Sequence, residues 1–152
     1  HGGEQEMGIR PGTEAAPLIA GFGAAVDAIG DLKAHETHVG TLKAHLLAGL
    51  EALPDIVVHS PAEASPYVVS FSVPGIRSET MLHHLASRGV YVSSGSACSK
   101  GKVSRVLSAL CSDRRLIDSV LRVSFCWDNT TADVDALLDG IRDGMQVLQR
   151  IR

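Results

Sequence analysis

Residues 67–98 read YVVSFSVPGIRSETMLHHLASRGVYVSSGSAC, and the order of patterns in this stretch decides the fold. Between Tyr67 and Val73, the residues Val69, Phe71 and Val73 recur at period two, which predicts a strand with one apolar face. Ser78 is suited to cap a helix whose Met81, Leu82 and Leu85 face inward, and Gly89 stands where a left-handed C-terminal residue belongs. Val90-Tyr91-Val92 then predicts a further strand. It runs into Ser93 to Lys102, a stretch of small and polar residues that buries little and reads as the most mobile loop of the chain.

The patterns on either side extend this unit. Ile56-Val57-Val58 is a short β-branched run before it. After the loop, Val103, Val106, Leu107 and Leu110 mark one face of a short helix, followed by a strand from Val120 to Cys126. Thr130, with Asp133 three residues on, then opens a final helix with an apolar stripe of Val134, Leu137, Leu138, Ile141, Met145 and Leu148. Toward the N-terminus, apolar residues recur at steps of three and four from Leu18 to Leu53, which predicts one long helix or two abutting ones. Pro17 suits a first turn and Pro54 supplies the stop, so an unbroken helix would run roughly 55 Å. Gly21, Gly23, Gly30, Gly40 and Gly49 fall inside it, so close packing or a bend is expected there.

The element order predicts an α/β chain of α+β character. It has an open, mostly antiparallel sheet of about four strands, helices on one face and a long N-terminal linking helix. The expected divisions are a loop at 1–13, the linking helix at 14–53 and a small domain at 54–152.

Composition narrows the classes. The chain has 152 residues, is 45% hydrophobic and 20% charged, and fits about one globular domain rather than a disordered or fibrous protein. Its formal charge is -3, and its 14 Lys and Arg are scattered, so there is no footprint for nucleic acid. No membrane-spanning run or signal segment is present, and a cytoplasmic location is expected. Three cysteines without a CxxC pair suggest reduced thiols. Cys111 and Cys126 sit in apolar patterns and are expected to be buried and inert. Cys98, flanked by Ser, Gly and Ala with Lys100 and Lys102 nearby, is the accessible candidate nucleophile. The seven histidines offer no convincing ligand spacing, and no metal is expected.

Three blocks occur in order: His1-Gly2-Gly3-Glu4-Gln5-Glu6 with Gly8, Arg10 and Gly12-Thr13-Glu14; Ser93-Ser94-Gly95-Ser96-Ala97-Cys98; and Leu121-Arg122-Val123-Ser124. Together they resemble the C-terminal part of the cysteine desulfurases, pyridoxal 5'-phosphate (PLP) enzymes of the class V aminotransferase fold. The resemblance implies the small C-terminal domain of a fold-type-I PLP-dependent transferase. Cys98 would be the nucleophile that takes sulfur from L-cysteine, leaving L-alanine and a persulfide. Arg122 would bind the substrate carboxylate through its planar fork. Thr13 would bind the PLP phosphate of the partner subunit, which implies a homodimer, with Gln5 and Arg10 shaping the same loop.

The resemblance also implies a sulfur acceptor or iron–sulfur scaffold as partner. It places the cofactor lysine in a large domain upstream, so this stretch alone is expected to be inactive and to bind no PLP. Glu4, Arg105 and Cys111 depart from the family's usual residues at their positions, and the loop after Cys98 is short. The alternatives are a selenocysteine lyase, another class V aminotransferase, or a non-catalytic module that binds a sulfur acceptor.

Overall fold

The computed structural model describes residues 2–61, 63–94, 109 and 112–149. The chain divides into two units, residues 1–33 and 34–152.

In the first unit, a 3-10 turn at Gln5–Gly8 precedes α1 (Ala16–Ile29), which has proline in its first turn and buries none of its residues. The apolar periodicity from Leu18 to Leu53 runs through two helices rather than one. α1 stops at Gly30, whose φ of 71° is closed to a right-handed helix, and α2 (Leu32–Glu51) starts afresh. Of the two arrangements that the spacing allows, an unbroken helix or two abutting ones, the structure has the second.

The second unit continues with β1 (Val57–Val58), β2 (Val68–Ser72), α3 (Ser78–Ser87), α4 (Arg114–Ile117), β3 (Val120–Ser124) and α5 (Thr131–Val147). The sheet order is β1-β2-β3, with both pairings antiparallel. Among the described residues three strands stand where about four are expected from the sequence. Val90 to Val92 form no strand, and the chain rejoins the sheet only at Ser93, through an isolated bridge to Arg122. Tyr91 is correspondingly 82% exposed.

Strand alternation sorts the two sheet faces. Val69, Phe71, Leu121 and Val123 enter the core, where Leu42, Leu46 and Leu50 of α2, Met81 and Leu85 of α3, and Leu137 and Ile141 of α5 meet them. Each such side chain contributes about 1.5–3 kcal/mol on burial. α2, α3 and α5 thus cover one face, and the opposite face carries Ser70, Ser72 and Arg122.

Local signals end the helices where the sequence predicts. Gly89 takes φ 78° and the Val90 amide donates to the Leu85 carbonyl at 3.0 Å, closing α3 in a left-handed C-cap. Ser78 is the first residue of α3 rather than its cap, and its amide donates to the Asp118 carbonyl at 2.9 Å. At α5 the Thr130 amide donates to the Asp133 carboxylate at 2.8 Å, half of a reciprocal capping box. That hydrogen bond holds the Asp133 carboxyl below its usual range.

Candidate functional site

The site is built around Arg122 on β3. Its neighbours Leu121 and Val123 are buried in the core, so alternation sends the guanidinium to the opposite, polar face. The Arg122 amide donates to the Ser93 carbonyl at 2.6 Å, and the Ser93 amide returns a bond to the Arg122 carbonyl at 3.1 Å. Ser93 Oγ donates to the same carbonyl at 3.3 Å. On its other side Arg122 faces Ser70 of β2 in register. Its Nε is buried without a hydrogen-bond partner among the described residues. An N–H of a permanent cation left in that state costs about 1–3 kcal/mol or more, so the position favours an incoming anion.

Of the residues singled out from sequence, Arg122 lies in the second unit and Thr13 in the first. Thr13 is exposed and follows Gly12, whose φ of 116° is one that glycine adopts without strain. Gln5 Oε1 accepts from the Gly12 amide at 3.2 Å, and the Arg10 guanidinium donates to the Gly12 and Thr13 carbonyls at 3.4 and 3.5 Å and to the Glu14 carboxylate at 3.3 Å. Gln5 and Arg10 therefore shape the loop that presents Thr13. Cys98, Cys111, Lys100, Lys102, Arg105 and the short helix expected from Val103 to Leu110 lie outside the described residues, Ala109 apart.

The expectation for Cys126 is corrected. β3 ends at Ser124, so alternation no longer applies two residues later, and Cys126 is exposed with its Sγ 3.4 Å from Asn129 Oδ1. Three histidines of α2 engage the segment after it. The His35 ring stacks on Trp127 at 5.0 Å between centroids, His38 Nε2 donates to the Asn129 carbonyl at 2.8 Å, and His45 Nε2 lies 2.7 Å from Asp135 Oδ1. Among the described residues no cluster of three or more His, Cys, Asp or Glu is arranged to hold a metal.

Sequence reasoning missed the polar row beside Arg122. Ser70 and Ser72 alternate with Val69, Phe71 and Val73, a signal that marks them as a strand's outward residues but not which partner they face. His59 is part of the same row, through its amide bond to the Ser70 carbonyl at 2.8 Å.

The sequence profile of the aminotransferase class-V family matches residues 2–137. The chain belongs to that family. Among curated proteins of known name, this class V chain is similar to a cysteine desulfurase of Clostridium botulinum, IscS, with 34% identity over 91% of the chain and 37% of the relative. It is also similar to the mitochondrial cysteine desulfurase of Candida maltosa, with 33% identity over 99% of the chain and 32% of the relative. The chain thus spans about a third of the length of the curated relatives it matches. Among solved structures, a NifS-like protein superimposes with a TM-score of 0.80 at 35% identity, covering 97% of this chain and 38% of that one. A NifS-like protein from Rickettsia africae gives 0.76 at 26% identity, over 96% and 39%.

Proposed function

We propose that this class V chain is the C-terminal part of a PLP-dependent cysteine desulfurase, which converts L-cysteine to L-alanine and leaves a persulfide on Cys98. The observation that carries the reading is the buried Nε of Arg122, without a partner among the described residues, on a residue whose backbone pairs with Ser93 at the head of the Ser-Ser-Gly-Ser-Ala-Cys run. Cys98 follows Ser93 by five residues. That length of chain reaches at most about 18 Å, so the run ties the proposed nucleophile to the neighbourhood of the proposed carboxylate site.

The described residues fit a contribution to a cofactor site rather than the whole of it. Thr13 offers an exposed hydroxyl in a glycine-flanked loop suited to a phosphate. Among the described lysines, Lys33 is exposed and Lys43 donates its ammonium to the Ala64 carbonyl at 2.8 Å. As the resemblance implies, the cofactor lysine is assigned to a large domain preceding residues 1–13, with residues 14–53 linking it to the small domain at 54–152. PLP, when bound, supplies an electron sink for the substrate Cα.

This chain's residues do the rest. Arg122 grips the α-carboxylate and fixes the amino acid's orientation. Cys98, as thiolate, forms a bond to the substrate sulfur while the substrate C–S bond breaks with its electron pair left on carbon, which takes up a proton to give L-alanine. Thr13 binds the PLP phosphate across a homodimer interface, and the persulfide passes to a sulfur acceptor such as an iron–sulfur scaffold in the cytoplasm. No helix among the described residues is long and apolar enough to cross a membrane.

The test is intact-mass and peptide mapping of the full-length protein after PLP and L-cysteine, without reductant. One added sulfur on Cys98, lost in Cys98→Ala, is expected. Alanine release that continues unchanged in Cys98→Ala overturns the reading.

A further inference from the structure

The polar sheet face holds a second group suited to the ligand assigned to Arg122. β2 and β3 pair Ser70 with Arg122. The Arg122 amide and carbonyl both turn to Ser93, while the Ser70 carbonyl accepts from His59 and the Ser70 amide donates to Ser60 Oγ at 2.9 Å. Ser70 and Arg122 therefore form the close, non-hydrogen-bonded type of antiparallel pair, in which opposed side chains share a face and the Cα atoms approach to about 4.5 Å.

The two serines flanking this pair are committed. Ser72 Oγ donates to the Leu116 carbonyl at 2.6 Å and Ser93 Oγ to the Arg122 carbonyl. The half-buried Ser70 hydroxyl makes no hydrogen bond among the described residues, and it stands in register opposite Arg122, whose Nε has no partner among them either. An uncommitted hydroxyl proton and an uncommitted guanidinium N–H on paired residues of one face make a donor set for a carboxylate, which has lone pairs for both.

We infer that Ser70 is a substrate-binding residue, donating its hydroxyl proton to the α-carboxylate that Arg122 holds. The inference rests on the assignment of Arg122 as the carboxylate residue. A fork alone accepts any planar anion. A hydroxyl at one side adds a third, directional donor and so favours the carboxylate of an amino acid over its amide, in which an –NH2 replaces one acceptor oxygen.

The experiment is calorimetric titration of the full-length holoenzyme with L-alanine and L-alaninamide. It compares the parent, Ser70→Thr, Ser70→Val and Arg122→Gln. Thr and Val have nearly the same shape and both suit a strand, so they differ chiefly in the hydroxyl. Ser70→Val is expected to lose roughly tenfold in affinity for L-alanine, the scale of one hydrogen bond to a charged group, with little change for L-alaninamide. Ser70→Thr is expected to keep the parent's preference. Equal preference for acid over amide in the Val and Thr variants overturns the role of Ser70. If Arg122→Gln alone abolishes the preference, the Arg122 assignment survives that failure. Full preference in Arg122→Gln overturns both.

Discussion

His59 Nε2 lies 2.7 Å from Ser72 Oγ, and the direction of that hydrogen bond is fixed by a third atom. Ser72 Oγ has one proton and spends it on the Leu116 carbonyl at 2.6 Å, which can only accept. His59 Nε2–H must therefore donate, leaving Nδ1 as the site that takes up a further proton. Burial disfavours the imidazolium and lowers the pKa of His59 from 6.5. Below about pH 6.5 the unfolded chain binds this proton and the folded chain resists it, so stability falls as the pH drops and is insensitive to His59 above that value. His59→Gln keeps a donor and removes the titration. Urea unfolding across this interval should show a shallower loss for the variant, and parallel pH profiles would refute the coupling.

Arg122→Lys keeps the charge but loses the fork and the Nε–H. In the full-length enzyme it should raise KM for L-cysteine by roughly ten- to a hundredfold, the scale of one hydrogen bond to a charged group. Steady-state kinetics check this, and an unchanged KM would remove Arg122 from the carboxylate site.

Two glycines of α2 should respond to alanine with opposite signs. At Gly40 an added Cβ meets nothing within 4 Å, so Gly40→Ala should stabilise by about 0.5–1 kcal/mol through helix propensity. At Gly49 it would lie 3.1 Å from Leu138 Cγ and closer still to both methyls, inside a packed helix contact. Overpacking of about 1–3 kcal/mol should outweigh the propensity gain there. Denaturant midpoints of the two variants are expected on either side of the parent's.

What was legible in the sequence was whatever depends on near neighbours in the chain. Gly89 and the Thr130–Asp133 pair act within one helical turn, and the residues that end α3 and start α5 are where the pattern puts them. Gly30 is one of five glycines at which close packing or a bend is expected, but Ile29 and Leu32 keep helical spacing across it and spacing carries no information about φ, so the pattern does not single it out. The exposure of Cys126 is not legible because an apolar run does not show where pairing stops. Arg122 stands out as a cation among strand residues. Its neighbour Ser70 is 52 positions away in the chain and reaches it only through register, which one strand's pattern cannot specify.

The first unit's helix has a consequence for how amide protons leave this chain. α1 is a helix of 14 residues that buries none of them, and two glycines interrupt its middle. Helices of that length are marginal in water unless something packs on them. For the 152 residues in isolation, deuterium should enter the α1 amides at nearly the rate of an open chain. Amides of Phe71 and Leu121, paired at the centre of the sheet, should wait for the whole second unit to unfold.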